Sequence, residues 1–293
     1  MRKLTFVAAL LVISFLLTSC GSSSGSEGDI IQQNFKQGVQ EVQIRLLENA
    51  PPVKIYPGSN FKMVIDVDNQ LAYDLQDVTL TLTGLNERYV QIAPNPLEGH
   101  YLDQMLGRSL TNPSGERKIV EFDGKAESLF LNAEQHMETF FIKLAYRSTL
   151  DFTDTVCLNT NVYSIYDAGC KVEPQKTYSG QGAPLAITKI EEIIFPGSAA
   201  DIEFRINLQN KGRGNVGEVQ LLSANLGNDP LQCDFRGSGL ETNKIKFVEN
   251  KKEHTLICRK ERITAGRSYK TPLSLRLVYD YKLAQQNKLT LVR

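Results

Sequence analysis

The chain has 293 residues, with 33 Lys and Arg against 33 Asp and Glu, 41% hydrophobic residues and no Trp. This length suits about two domains of ordinary size. The balanced charge, with 23% charged residues, argues against a disordered chain and against the strongly basic surface that binds DNA or RNA. We therefore expect no nucleic-acid partner.

Residues 1–19 have the pattern of an export signal. Arg2 and Lys3 precede a run from Phe6 to Leu17 that is apolar apart from Ser14. This run is shorter than the roughly 20 apolar residues that a membrane-spanning helix needs, and a Gly/Ser-rich tract follows it. The pattern therefore predicts a signal peptide that is cleaved from the mature protein.

The end of this signal carries a lipid-attachment motif. Leu17-Thr18-Ser19-Cys20 resembles the lipobox of prokaryotic lipoproteins, in which the Cys receives lipid and becomes the mature N-terminus. Two lipid chains hold a protein on a membrane where one binds only marginally. The resemblance implies an exported protein, anchored by Cys20 to the outer face of the cell membrane or envelope, with residues 20–37 as a flexible tether. A plain signal peptide that happens to contain a Cys is the alternative.

Beyond the tether, the dominant pattern is an alternation of apolar and polar residues with period two. Such alternation is typical of half-buried β-strands. The region 97–110 is polar and interrupted, and it is expected to be a loop between strands. The alternating segments cover residues 42–46, 61–67, 78–82, 140–146, 202–208 and 273–279.

The two halves of the chain carry the same motifs in the same order. Ile55-Tyr-Pro-Gly-Ser59 is matched by Ile194-Phe-Pro-Gly-Ser198, and each is followed by a strand that ends in Asn69 or Asn210. In both halves a later hydrophobic strand is followed by one more short apolar segment, which predicts a final hairpin. The shared order indicates one fold used twice.

Antiparallel strands at this spacing, without helices between them, predict an all-β protein with two tandem immunoglobulin-like β-sandwich domains. We place the first sandwich at residues 38–165, an interdomain linker at 166–184 and the second sandwich at 185–293. A closed barrel is the alternative architecture.

The cysteines other than Cys20 form an even set. In an exported protein, Cys157, Cys170, Cys233 and Cys258 predict two disulfide bonds. Of the three possible connectivities, the sequence separations favour Cys157 with Cys170 and Cys233 with Cys258. A zinc site built from all four thiolates is the alternative, but the chain has no C-x-x-C pair.

Other candidate motifs do not indicate chemistry. Gly212-Arg-Gly214-Asn-Val-Gly217 fits the G-x-G-x-x-G pattern, but no helix is predicted after it to hold a pyrophosphate. We interpret it as a turn between strands whose glycines tolerate positive φ. His100, His136 and His254 are far apart and are expected to lie on the surface. The sequence therefore predicts no catalytic residue, no metal site and no cofactor.

Short motifs spread over residues 38–293 carry a family resemblance. They are NAPP at 49–52, LGRS at 106–109, NPSG at 112–115, TVC at 155–157, GQGAP at 180–184 and NKGRGNV at 210–216. With these motifs, the chain resembles uncharacterised archaeal surface proteins with tandem immunoglobulin-like domains related to cell-adhesion modules of bacteria and archaea. The resemblance implies an exported, membrane-anchored protein without enzymatic activity, and it carries over no ligand or catalytic residue.

Two functional hypotheses follow. The first is an adhesion or envelope scaffold that meets a protein partner in the envelope or on a cell surface through its loops and strand edges. The alternative is a ligand- or glycan-binding lipoprotein serving a membrane transport or assembly system, with the loop 94–117, Tyr89 and Tyr101 forming the site. A concave pocket lined by polar groups would favour this alternative.

Overall fold

The computed structural model describes residues 35–130, 133–160, 169–196, 199–237, 241–248, 251–264 and 268–293. The predicted signal peptide, Cys20 and almost all of the tether lie outside these ranges. Every element with defined bounds in the described residues is a β-strand, so the all-β prediction is confirmed.

The described residues of the first half contain seven strands: β1 (Gln43–Leu46), β2 (Asn60–Asp68), β3 (Leu75–Thr83), β4 (Val90–Ala93), β5 (His100–Tyr101), β6 (Arg117–Ala126) and β7 (Gln135–Asn159). The second half contains β8 (Gln175–Thr177), β9 (Leu185–Phe195), β10 (Ala199–Asn210), β11 (Asn215–Leu226), β12 (Asp229–Pro230), β13 (Gln232–Phe235), β14 (Lys244–Lys246), β15 (Glu253–Thr264) and β16 (Ser268–Val292). The alternating segments of the sequence fall on these strands, apart from Val42, which lies just before β1.

The described strands form three sheets. The first sheet has the order β1-β2-β6-β4, and the second sheet has the order β13-β15-β10-β9-β8. The central sheet has the order β12-β11-β16-β7-β3-β5, with β14 also pairing with β11. Both halves of the chain thus contribute strands to one continuous central sheet.

Each half repeats the strand order of an immunoglobulin sandwich, whose two sheets are A-B-E-D and C-F-G. In the first half, β1-β2-β6-β4 corresponds to A-B-E-D and β3-β7 to C-F. In the second half, β9-β10-β15-β13 and β11-β16 take the same places. The immunoglobulin-like sandwich prediction is therefore met by topology, while the domain boundaries given above stay a prediction.

The strand that would be G is replaced in both halves. β7 and β16 each have 25 residues and pair along their whole length, from Ser268 opposite Asn159 to Val292 opposite Gln135. The predicted final hairpins are wrong, because β7 and β16 pair with each other over 25 residues and each continues as one extended strand. In the first half, the end of β16 lies beside β7 in the position of G. In the second half, the end of β7 lies beside β16 in the same position.

This exchange has a two-fold arrangement centred on one residue pair. Arg147 is the middle residue of β7 and Asp280 the middle residue of β16, and the two are register partners with Nε and Oδ1 3.5 Å apart. At one end, the backbone N–H of Ile55 in the first half donates to Thr290 at 3.1 Å. The last residues of β16 therefore belong to the first sandwich in space.

The buried apolar side chains form one contiguous cluster across the three sheets. Met63 of the first sheet, Leu144 and Tyr279 of the central sheet and Phe204 of the second sheet are 0–1% exposed. These residues occupy the inward positions of the predicted alternation. The core is therefore shared between the two halves.

The predicted repeat extends to the hydrogen bonds of the two Asn loops. In each loop the side-chain Oδ1 accepts from the backbone N–H two residues on, at 3.0 Å for Asn69 and 3.1 Å for Asn210. In each, Nδ2 donates to the carbonyl four residues on, at 3.1 and 2.8 Å. A side-chain amide that replaces backbone pairing explains why the turn after β2 and β10 uses Asn.

The G-x-G-x-x-G loop is a turn between β10 and β11, as predicted, but its glycines do not have positive φ. A Cβ on Gly212 would lie 2.2 Å from the hydroxyl of Tyr281 and 2.4 Å from Oε1 of Glu41. The Gly is needed because other side chains approach the backbone closely, a requirement that the sequence pattern does not show.

Candidate functional site

The structure brings both favoured cysteine pairs to disulfide distance. The Sγ atoms of Cys157 and Cys170 are 2.03 Å apart, and those of Cys233 and Cys258 are 2.09 Å apart. The first pair joins the end of β7 to the segment before β8. The second is a direct cross-strand pair between β13 and β15. Within the described ranges, no group of three His, Cys, Asp or Glu side chains is placed to hold a metal ion.

The three histidines do not share one environment. His100 is exposed, as predicted, whereas His136 is half-buried and its Nε2 hydrogen-bonds to Glu138. The surface prediction is wrong for His254, which is 6% exposed and packs with its ring centroid 4.6 Å from that of Phe247. His254 falls on the inward side of β15 because it keeps the period-two phase of the buried residues that follow it.

The structure gives Tyr89 and Tyr101 different surroundings. The ring of Tyr89 stacks on His136 at a centroid distance of 3.9 Å, so this face is already occupied. Tyr101 is 58% exposed on β5, opposite Thr79. The loop 94–117 folds back on its own half: Leu102 N–H donates to the carbonyl of Val78 at 2.8 Å.

One edge of the first sheet is formed by β4, which among the described strands pairs only with β6. The hydrogen bonds beside this pair fix the direction of each backbone group. Ala126 donates its N–H to Ser59 at 2.9 Å and accepts from Gly58 at 2.8 Å, both on the β2 side. The next residue, Glu127, donates to Tyr89 on the β4 side at 2.8 Å.

From this alternation the free edge can be assigned. Lys125, one residue before Ala126, directs its backbone groups to β4, where its register partner is Gln91. Because successive residues of an antiparallel strand point in opposite directions, the N–H and C=O of Ile92 point away from β6. Ile92 therefore presents a donor and an acceptor that can pair with an added strand.

Two cavities flank this edge, which we call the β4 edge. One, of about 690 Å³, is lined by three-residue stretches of β2, β4 and β6 and includes Phe61, Ile92 and Gly124. A Cβ on Gly124 would lie 2.3 Å from the Phe61 ring, so this Gly lets the ring cover the strand. Lys62 and Asp123 also line this cavity.

The second cavity, of about 500 Å³, lies between β3, β4 and the turns beside them. Its apolar lining includes Leu82, Val90 and Leu97. Gln91 and Ile92 line both cavities. An extended segment added along β4 would thus have a recess on either side for alternate side chains.

The equivalent edge of the second half, β13, is different. Its residue Cys233 is bonded to Cys258 on the neighbouring strand, β15. The β4–β6 pair has Ile92 opposite Gly124 and carries no such bond. The two halves therefore share a fold but not the same edge chemistry.

A polar cavity of about 770 Å³ lies where Lys36 and Gln37 approach the end of β7 and the segment after β8. Asp154 lines it and accepts hydrogen bonds from Tyr178 at 2.6 Å and Lys176 at 3.0 Å. Burial raises the pKa of Asp154, but these hydrogen bonds outweigh it and leave the pKa below its usual range. Asp154 is therefore ionised near neutral pH and already partnered.

A basic cavity of about 1010 Å³ lies at one end of the second sandwich. It is lined by Gln209, Arg236, Gly237 and residues 251–255. Neither this cavity nor the polar one is signalled by a sequence motif, because each is built from segments that are distant in the chain.

Glu41 joins the start of the described chain to the second half. Its carboxylate accepts from Arg213 Nε at 2.8 Å, from the Arg213 backbone N–H at 2.7 Å and from the hydroxyl of Tyr281. Burial raises the pKa of Glu41, but the bonds from Tyr281 and Arg213 prevail and lower it. The site is thus an ionic junction between the halves.

In the described part of the chain, no helix has the length and apolar composition needed to cross a bilayer.

Comparisons with known proteins find only distant structural likeness. No family model matches the chain, and no curated protein matches it. The solved structures that match include the Escherichia coli chaperone DraB, with 12% identity over 78% of this chain and 90% of that one at a TM-score of 0.20. The Salmonella enterica SafA pilin in complex with the SafB chaperone matches with 11% identity over 81% and 98% at 0.21.

A secreted serine protease, VesC from Vibrio cholerae, matches with 12% identity over 86% of this chain and 51% of that one at a TM-score of 0.20. These scores are too low for any of the matches to support a conclusion about this chain. The resemblance to archaeal surface proteins stays a prediction.

Proposed function

We propose that this protein is an exported, lipid-anchored envelope protein without enzymatic activity, and that it acts as an adhesion or protein-interaction module. Cys20 carries the anchor, and residues 20–37 hold the folded part away from the membrane. The partner is a protein of the envelope or of another cell surface. It presents an extended segment that pairs with the β4 edge.

The observation that carries this proposal is the open β4 edge with a cavity on each side. Backbone pairing at an edge supplies affinity without regard to sequence, while recesses for alternate side chains supply selectivity. The apolar linings of the two cavities fit a segment with apolar residues at every second position. The mixed charges at Lys62 and Asp123 fit a partner segment that carries both signs beside the apolar residues.

The experiment is proximity crosslinking on intact cells followed by mass spectrometry, with the wild-type chain compared with Ile92→Pro. Proline removes the outward N–H of Ile92 and leaves the Gln91–Lys125 hydrogen bonds to β6 in place. We expect the crosslinked partner to be lost with Ile92→Pro. Ile92→Val keeps the N–H and a branched side chain, and it should retain the partner.

A crosslinked partner that survives Ile92→Pro at the wild-type level would contradict pairing at β4. Anchoring is tested separately with Cys20→Ala. This variant should be released from the membrane fraction and keep its fold, because the described strands begin beyond the tether. Equal membrane retention of Cys20→Ala would make lipid anchoring wrong, whatever the result at Ile92.

A ligand- or glycan-binding lipoprotein is the second candidate, and the polar cavity favours it. Its polar lining groups, among them Gln37, Asp154 and Tyr178, converge on one recess. Saturable binding of a glycan that is abolished by Gln37→Ala, with no loss of crosslinking in Ile92→Pro, would favour this function over adhesion.

A further inference from the structure

The basic cavity is positioned by the backbone of the second half. The N–H of Arg236 donates to β15 at 2.9 Å, the N–H of Lys251 closes a turn at 2.9 Å, and the carbonyl of Lys252 accepts from the end of β10 at 2.8 Å. All three cationic residues are therefore held at the cavity by the sheet. No described residue forms an ion pair with any of them.

Two further titratable side chains line the cavity. The carboxylate of Glu253 already accepts a hydrogen bond from the side-chain amide of Asn207. His254 is 6% exposed, and neither of its ring nitrogens has a hydrogen-bond partner among the described residues. Burial, together with the charge of Lys251, lowers the pKa of His254 below its usual value. Burying a polar atom without a hydrogen bond costs free energy, so the two ring nitrogens of His254 leave this cost without compensation.

The repeat shows what this position needs. His254 is the register partner of Leu208, two residues before Asn210. In the first half, Lys118 is the register partner of Val67, two residues before Asn69. Lys118 and His254 are therefore equivalent inward positions at the same end of the two sandwiches.

In the first half this position is fully satisfied. The ammonium of Lys118 donates to the carbonyl oxygens of Leu102 and Gln104, the latter at 2.8 Å. Both oxygens belong to the loop between β4 and β6. In the second half, the connection between β13 and β15 is shorter than the one between β4 and β6, and the place of those oxygens is a cavity.

At one position of this end the charge is inverted between the halves. The N–H of Asn69 donates to the carbonyl of Glu116, and the N–H of Asn210 donates to that of Lys252, so Glu116 and Lys252 are equivalent. The carboxylate of Glu116 accepts from the backbone of the first-half loop at 2.6 Å. Among the described residues Lys252 has no such partner, and it places a positive charge where the first half has a negative one.

We infer that the basic cavity is a binding site for an oxyanion, a phosphate or sulfate group. The oxygens of the bound group take the place that the carbonyl oxygens of Leu102 and Gln104 have in the first half. The negative charge of the group is balanced by Arg236, Lys251 and Lys252. Charge-assisted hydrogen bonds from such cations are the usual means of holding these groups. The cavity volume exceeds that of one such group, so the group belongs to a larger soluble ester or to a lipid headgroup.

The test uses the full chain with Cys20→Ala, so that lipid on the anchor does not contribute. The probes are inorganic phosphate, inorganic sulfate, and vesicles of phosphatidylglycerol or phosphatidylcholine. The ring protons of His254 report on the site by NMR, and the chain has only two other histidines. We expect saturable shifts of the His254 signals and a rise of its pKa on addition of phosphate or sulfate, with His100 unchanged.

Arg236→Gln and Lys252→Gln alter exposed side chains and should each weaken this binding by about tenfold or more, the loss expected from one charge-assisted hydrogen bond. Lys270→Gln, an exposed lysine on β16, is the matched control and should bind as wild type. Saturable binding to phosphatidylglycerol vesicles, but not phosphatidylcholine vesicles, that depends on Lys252 identifies a headgroup as the source. Binding to the soluble ions alone identifies a soluble ester.

Absence of saturable binding to every probe would overturn the inference. Equal weakening by Lys270→Gln and Lys252→Gln would also overturn it, since the effect would then be one of overall charge. Neither outcome affects the proposed pairing at β4, because the basic cavity and the β4 edge share no residue.

Discussion

Glu192 is the clearest case of a single side chain whose environment opposes its charge. It is 8% exposed on β9, opposite the buried Phe204, and its Oε1 has no hydrogen-bond partner among the described residues. Burial raises its pKa from 4.5 to about 7, against a smaller lowering effect of Lys176. The folded protein therefore holds this proton at pH values where the unfolded chain has released it.

The contribution of Glu192 to the stability of the protein should fall as the pH rises from about 4.5 to about 7, because folding binds a proton at Glu192 over this window. Above it, Glu192→Gln should raise the free energy of unfolding by up to about 3 kcal/mol, since one pKa unit corresponds to about 1.4 kcal/mol. Near pH 4 the two proteins should unfold alike. Urea unfolding at pH 4 and pH 8 measures both values.

Glu191, the neighbouring residue, is the matched control. Its pKa is lowered, first by the hydrogen bond from Lys189, so Glu191→Gln removes a favourable charge. It should not stabilise the protein at pH 8. A stabilisation by Glu191→Gln equal to that by Glu192→Gln would show that net charge, and not the burial of Glu192, sets the effect.

Among the elements, the edge strands differ in how they are secured. β13 is joined to β15 by Cys233 and Cys258, whereas β4 relies on its ladder with β6. This difference separates an edge that is fixed from one that is available for pairing.

Thiol labelling of the denatured, unreduced Cys20→Ala chain should find no free cysteine. Reduction should lower the free energy of unfolding, and Cys233→Ser with Cys258→Ser should cost about 3 kcal/mol in the chain-entropy model. Thiol counting by mass spectrometry and urea unfolding measure these two results. Four labelled thiols in the unreduced protein would rule out both disulfide bonds.

At the scale of the whole molecule, the exchange between β7 and β16 ties the halves together. Each sandwich takes its last strand from the other half, and the buried residues form a single cluster. The Glu41–Arg213 ion pair adds a second connection between the chain start and the second half.

We therefore expect one cooperative transition for the full chain in calorimetry, with equal calorimetric and van't Hoff enthalpies. A protease site can be inserted at Glu173, beyond the Cys157–Cys170 loop. After cleavage at this site, the two fragments should elute together in size-exclusion chromatography without denaturant. Two separate transitions, or fragments that elute apart, would show that the halves are independent domains.

Much of the fold could be predicted because its signals are local. The period-two pattern of residues 61–67 and 202–208 places β2 and β10, and the Asn that follows each strand builds the same turn. The Cys separations point to the observed pairs. The β4 edge was not predictable in this way, since Val90–Ala93 is too short to show alternation and its recesses come from three other segments.

The sequence by itself determined the all-β class, the two-fold repeat and the favoured cysteine pairs, because strand alternation, turn residues and cysteine spacing act over a few neighbouring positions. Only the tertiary structure decided that β7 and β16 continue as long strands and that Gly212 faces Tyr281. Each of these depends on a partner far away in the chain. A residue pattern can show which face of a strand is apolar, but packing alone decides what that face meets.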